Sequence, residues 1–417
     1  MHLLARIAPL AFVVACSSET PSGSGLDATV PNDVDAGLDA TAADTPELDA
    51  RDATDARATC HNVPVAANAR RAVVVSHPFG TDSGQSGRHE LLVLEPSGTL
   101  TRPGTTFDLG AKSSSSVTFT PDGALGFVAL ADGAIGAFSI APDFTVKVIN
   151  PHFSGSFYAG NLAVSPHGHS LVVVDPNTPE NGGGLYRLAI DCDGTLHEEA
   201  KIASVSGAFA VGVFSTAPWM LFVPGRSLAD AGVNDDLSLF EVTETAAIRR
   251  GGATAFAGSD DIVSAVASTE DGAYVMVADD SIVAGNRVAV VDTKTFTTVK
   301  QLSAEFPSAI VPSPYNNAAL IVSSDTVSQL RTVSYDSTKS GGNFTLAGEV
   351  AYTLGKPSLP QRAVGLRRGS LRGRVLVTEL SAVRQLQFGV DGSLVDVSMT
   401  SFGSGVQNIV GSLGIVP

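Results

Sequence analysis

The sequence predicts an all-β protein: a seven-bladed β-propeller of four-stranded blades, closed by its own C-terminal strand and preceded by a disordered tether. Three observations lead there. From about residue 70 onward, Val-, Ile- and Phe-rich runs alternate with Gly, Asp, Asn and Pro turns every eight to twelve residues or so. No helical periodicity persists for more than a turn or two. The strand-turn-strand unit recurs roughly every 45 residues, which is the period of propeller blades and too long a series for one sandwich.

In chain order, the first element is a signal peptide over residues 1–15. Ile7 to Ala15 are apolar with Arg6 ahead of them, a basic start followed by a short apolar core. The run is too short for a membrane span, which needs about 20 residues. Val13-Val14-Ala15-Cys16 resembles the bacterial lipobox. That resemblance implies cleavage before Cys16 and its lipidation. It also implies, through Ser17 in the sorting position, delivery to the outer membrane. An anchor of several acyl chains would hold firmly, since each buried methylene contributes about 0.8 kcal/mol.

Residues 16–59 follow as a linker. They contain no aromatic residue, and Asp-Ala recurs at Asp27, Asp35, Asp39, Asp49, Asp52 and Asp55. Residues 17–59 carry ten acids and two bases. Such a segment cannot bury enough apolar surface to offset chain entropy, so a solvated spacer is expected. A flexible chain of this length spans roughly 35–40 Å. Gly23-Ser24-Gly25 reads as part of the same spacer.

The remaining body, residues 60–417, has 32 acids and 23 bases, a net charge of −9 within the total of −16. A mildly acidic body argues against nucleic acid as a partner, because phosphate binding calls for a basic face. The cysteines are Cys16, Cys60 and Cys192. With Cys16 lipidated, an even pair remains in an exported protein, and a Cys60–Cys192 disulfide is expected. There is no Cys-x-x-Cys, so thiol redox chemistry and zinc fingers are not indicated.

Seven blades are placed over 71–109, 115–150, 160–203, 208–256, 262–303, 307–352 and 361–399. Val-Thr-Phe-Thr-Pro-Asp-Gly-Ala-Leu-Gly-Phe-Val-Ala-Leu at 117–130 shows the unit, with Pro-Asp-Gly supplying the tight hairpin. The first blade begins at its second strand, Arg71–Ser76. Its innermost strand is expected from the tail after Val406, which closes the ring and removes an open edge.

Val-Ala-Val-Val-Asp-Thr-Lys-Thr-Phe-Thr-Thr-Val-Lys-Gln-Leu at 288–302, with Glu-Phe-Pro-Ser-Ala-Ile-Val-Pro-Ser-Pro-Tyr-Asn-Asn-Ala-Ala-Leu-Ile-Val at 305–322, resembles the YVTN-type, lactonase-like propeller repeat. Blades 2, 3, 5 and 6 resemble it, whereas blades 1, 4 and 7 depart in their turns. The resemblance implies a seven-bladed propeller. Its relatives include surface-layer proteins, lactonase-like enzymes and binding modules, so it implies no one reaction.

Motifs for chemistry are sparse. The chain has no Gly-x-Ser-x-Gly elbow, P-loop or His-Glu-x-x-His. His167 and His169 fall where the repeat writes its turn, and read as turn residues rather than metal ligands. Asp191-Cys192-Asp193-Gly194 is shorter than a calcium loop and reads as a β-turn. In a propeller the second-to-third and fourth-to-first connections share the face at the mouth of the central channel. The second-to-third connections at 77–90, 175–184, 225–236 and 279–286 are long, and long loops on a rigid scaffold are where binding sits. They supply the candidates His77, Asp82, His89, Asp175, Arg226, Asp236 and Asp279. Fourth-to-first connections add His152, Tyr158, Asp260 and Phe306.

The expected function is that of a monomeric, envelope-anchored lipoprotein. It would face the periplasm or the cell surface and bind a protein or glycan through its loop-rich face, without catalysis. Two alternatives stay open. One is a lactonase-like, metal-assisted hydrolase in which His77, His152 and the acids line one pocket. The other is a structural envelope component. No cofactor is predicted; carboxylates and histidines at a narrow mouth could hold a divalent cation, calcium or magnesium.

Overall fold

The computed structural model describes residues 60–79, 85–205, 207–208, 210–225, 236–256, 263–279, 286–324 and 328–417. Cys16 and the linker over 17–59 lie outside the described residues, as do Asp82, Arg226 and Asp260.

Seven antiparallel sheets follow one another along the chain. Blade 2 runs through Thr118–Phe119, Leu125–Ala129, Ile135–Ile140 and Val146–Phe153, and blade 3 through Asn161–Val164, Ser170–Asp175, Gly184–Ile190 and Leu196–Ala203. Blades 4 to 7 repeat the pattern over 212–253, 263–303, 307–349 and 363–401. Blade 1 is built from both chain ends. The C-terminal strand Leu413–Ile415 pairs antiparallel with Arg71–Phe79, placing Val73 opposite Ile415 and Val75 opposite Leu413. Next comes Gln85–Leu94, whose outer edge is shared by Leu100–Thr101 and Thr106–Asp108.

The core lies between blades. Phe127, Leu171 and Tyr186 join blades 2 and 3. Met276, Ile321 and Phe344 join blades 5 and 6. Val73, Leu92, Leu376 and Leu413 join blade 7 back to blade 1. Among the described residues there are seven such clusters, one for each seam, so the ring is closed. Second strands are packed on both faces. Ser170–Asp175 and Ala318–Ser323 are buried throughout, which explains their unbroken apolar runs. Outer strands alternate; in Leu394–Ser401 buried or half-buried residues alternate with exposed ones.

The tight turns occupy the other face, and the N-terminal segment crosses it. Cys60 is bonded to Cys192 in the third-to-fourth turn of blade 3, with their Cα atoms 5.7 Å apart. The His61 ring lies between the Asp122 carboxylate at 2.8 Å and the Cys192 carbonyl at 2.9 Å. Val65 N–H donates to Pro121 O, and the Arg70 guanidinium lies 4.7 Å from the centre of the Phe144 ring. Gly123 shows why the turn needs glycine: its φ is +71°, and a Cβ there would sit 2.3 Å from the Val416 side chain.

Two boundaries differ from expectation. The first hairpin of blade 1 extends to Phe79 and resumes at Gln85, so His77 and His89 are strand residues, paired with Arg88 and Ser76. The fourth strand of blade 2 runs to Phe153, so His152 is a strand residue as well. In both places backbone pairing continues through polar side chains, which turn-residue signals do not register.

Candidate functional site

The loop-rich face holds three kinds of polar group. The first is a buried cluster at the seam of blades 7 and 1. His77 is fully buried, 3.2 Å from Ile409 O and 3.3 Å from Glu90 Oε2, with its ring edge-on to Phe402. Arg102 donates to both Glu90 oxygens, at 2.7 and 3.1 Å, and its guanidinium covers the Phe402 ring. Burial alone pushes the Glu90 carboxyl up, but hydrogen bonds from His77 and Arg102 outweigh it and hold it below the usual range. His89 Nδ1–H donates to Gly87 O at 2.7 Å, and its buried Nε2 has no partner. Burial pushes this imidazole down to about 4, so it is neutral.

The second kind is the strut. Asp175 ends the second strand of blade 3, and its two oxygens accept the N–H groups of Tyr158 and Asn177. Asp236 accepts from Ala255 and Phe256 N–H, and Asp279 pairs with Arg287. Blade 7 contains a fourth example that sequence reading missed. Arg384, fully buried, bridges Glu379 and Asp396, and these carboxylates accept the N–H groups of Ser358, Thr353 and Leu354. Asp175, Asp236, Glu379 and Asp396 each tie a connection to a blade, and Asp279 is held by its cross-strand neighbour Arg287, which leaves them fewer free lone pairs for a ligand. Phe306 is structural too: at φ +45° its N–H donates to Asn286 Oδ1 and its carbonyl accepts from Ser324.

The third kind is exposed. His152 pairs with Asp132 at 2.9 Å. Tyr158 donates its hydroxyl to Ala131 O, and burial, then Asp132 and Asp175, push its pKa up. His77 and His152 therefore do not line one pocket, the first being sealed in a seam and the second lying on the surface. Among the described residues, no group of three or more His, Cys, Asp or Glu side chains is gathered to hold a metal.

A cavity of about 430 Å³ opens beside the buried cluster, on the same face of blade 1. Phe79 and Phe107 supply aromatic walls, and Arg88, Asp108, Thr106 and Gln407 supply polar groups. Arg88 Nη2 donates to Gln407 O at 2.6 Å, while its buried Nε has no partner. Asp108 Oδ1 accepts from Gly110 N–H. The Phe107 ring stacks on His89 from behind. Sequence reading reached this hairpin through His77, Asp82 and His89 but not through Arg88, Phe107 or Gln407. Gln407 is 319 residues from Arg88, and only closure of the ring brings it there.

No protein-family model and no curated protein matches the chain. Solved structures do match in fold. A Bacteroides fragilis protein provisionally assigned as a 6-phosphogluconolactonase aligns with a TM-score of 0.61 at 13% identity, over 85% of this chain and 100% of its own. A Lactobacillus plantarum protein aligns with a TM-score of 0.60 at 14% identity, over 84% and 100%. The periplasmic gluconolactonase of Pseudomonas aeruginosa aligns with a TM-score of 0.57 at 14% identity, over 84% and 99%. The chain is thus a lactonase-like β-propeller in fold.

Proposed function

We propose that the protein is an envelope-anchored, saccharide-binding propeller and that the blade 1 cavity holds the sugar. The cavity itself is the observation that supports this. Two aromatic rings suit the apolar face of a pyranose, and Arg88, Asp108, Thr106 and Gln407 can hydrogen-bond hydroxyls of either polarity. Elsewhere on this face, the carboxylates Asp175, Asp236 and Asp279 are engaged as struts. The lipid expected on Cys16 would hold the propeller at the outer membrane; palmitate labelling that is lost in Cys16→Ser tests that part.

A second reading, hydrolysis of a sugar lactone in the same cavity, is favoured by the likeness in fold to a gluconolactonase. One experiment addresses both. The chain is titrated with envelope oligosaccharides and with aldonolactones, in chelator and in calcium or magnesium, and lactone consumption is followed. Binding without turnover is expected. Arg88→Gln should weaken it by at least about tenfold, since hydrogen bonds to charged groups contribute about 1.5–3 kcal/mol. Turnover above the spontaneous rate that disappears in Arg88→Gln would replace binding with hydrolysis. Saccharide binding unaffected by Arg88→Gln would remove the cavity from both readings.

A further inference from the structure

The blade 1 cavity holds a positive charge without a counter-charge. Among the described residues that line it, Arg88 is the one cation and Asp108 the one anion. They stand directly opposite each other in the ladder between Gln85–Leu94 and Thr106–Asp108, yet no ion pair joins them. Each is held by a different partner. The tail brings Gln407 O within 2.6 Å of Arg88 Nη2. Asp108 Oδ1 turns back to the Gly110 N–H at 2.7 Å. Gly87 permits that second contact. A Cβ there would lie 2.4 Å from Asp108 Oδ1 and 2.6 Å from Gly110 N, so a larger residue would push the turn after Asp108 away. Arg88 is half-buried, and its Nε makes no hydrogen bond. Arg102 of the same blade, by contrast, is neutralised by Glu90.

A half-buried guanidinium of this kind favours a counter-ion from outside, because charge withdrawn from water is costly unless paired. A planar carboxylate matches its fork with two parallel N–H···O bonds. A phosphate dianion fits less well, since the cavity has a single cation and Asp108 opposes added negative charge. Asp108 has a separate use: with Oδ1 engaged, Oδ2 is left to accept from a hydroxyl. These groups together call for a ligand with one carboxylate, several hydroxyls and an apolar face for Phe79 or Phe107. A hexuronate has all three on one ring. We propose that the cavity selects acidic sugars, with a uronate carboxylate on Arg88 and a ring hydroxyl on Asp108. This rests on the saccharide reading above and narrows it from sugars in general to uronates. The selectivity depends on closure of the ring, because the Gln407 carbonyl that orients the guanidinium comes from the tail.

Isothermal titration calorimetry on the intact chain tests this. The probes are trimers of galacturonate and of glucuronate, each beside its methyl ester, and a sulfated galactose trimer. Esterification removes the charge and leaves the rings and hydroxyls. At least one acid should bind at least about tenfold more tightly than its ester, as charge-assisted hydrogen bonds do relative to neutral ones. The ratio should fall toward one in Arg88→Gln and rise in Asp108→Asn, which removes the like charge. Circular dichroism melts confirm that both variants fold. Equal affinity for acid and ester in the wild type overturns the proposal and leaves sugar binding standing. A ratio that survives Arg88→Gln also overturns it, since another cation would then read the acid. Tighter binding of the sulfated trimer than of either acid overturns the choice of carboxylate. Binding of none of the probes removes the saccharide reading itself, and this proposal with it.

Discussion

Arg384 has the largest side chain among those fully removed from solvent, and it is held by two carboxylates that are themselves buried. Cutting it away leaves two uncompensated charges. Arg384→Ala is expected to lower unfolding stability by about 3–5 kcal/mol, read from urea titration. His89 makes the complementary case. Its pKa is 6.5 when unfolded and about 4 when folded, so between these values the unfolded chain binds the extra proton. Stability is therefore complete above pH 6.5, falls as the pH drops toward 4, and changes no further below that on this account. The interval corresponds to about 3 kcal/mol. In His89→Gln the unfolding free energy should lose that slope, measured at several pH values. Placement in long second-to-third connections made His77, His89, Asp175 and Asp279 candidates for the mouth. They are instead seam and strut residues, because each ends or lies in a strand whose flanks are packed.

At the scale of elements, strands and tight turns were largely legible. Alternation and Asp-Gly turn signals place the hairpins of blades 2 and 5 within a few residues of their observed limits. The split outer edge of blade 1 was not legible, since Leu100–Thr101 and Thr106–Asp108 are too short to show a period. The crossing segment 60–70 has no strand pattern either; its place is set by contacts with Asp122, Pro121 and Phe144. The disulfide that starts it closes a loop of sequence separation 132. Replacing both Cys60 and Cys192 by Ser should cost about 2–5 kcal/mol, because so long a loop regains much entropy when released. A melting curve of the double variant that overlays the wild type would contradict this.

At the scale of the whole molecule, stability depends on closure. Leu413 is fully buried in the seam of blades 7 and 1, and its strand is the inner strand of blade 1. Deleting residues 409–417 exposes the edge of Arg71–Phe79 and opens that seam. The truncated chain is expected to aggregate or to lose its cooperative transition, as followed by gel filtration and circular dichroism. A monomeric, cooperatively melting truncation would show that the other six seams suffice.

The sequence by itself determined the all-β class, the count of seven blades, the closing role of the tail and the pairing of Cys60 with Cys192. These follow from local periodicity, turn chemistry and the parity of cysteines, all of which are written along the chain. The tertiary structure alone decided which polar residues are available. Arg88 and Gln407 meet only when the two ends of the chain come together in blade 1 to close the ring. A carboxylate beside a loop looks the same in sequence whether it faces a ligand or accepts two backbone N–H groups. Burial and hydrogen-bond partners distinguish the two, and both are properties of the folded ring.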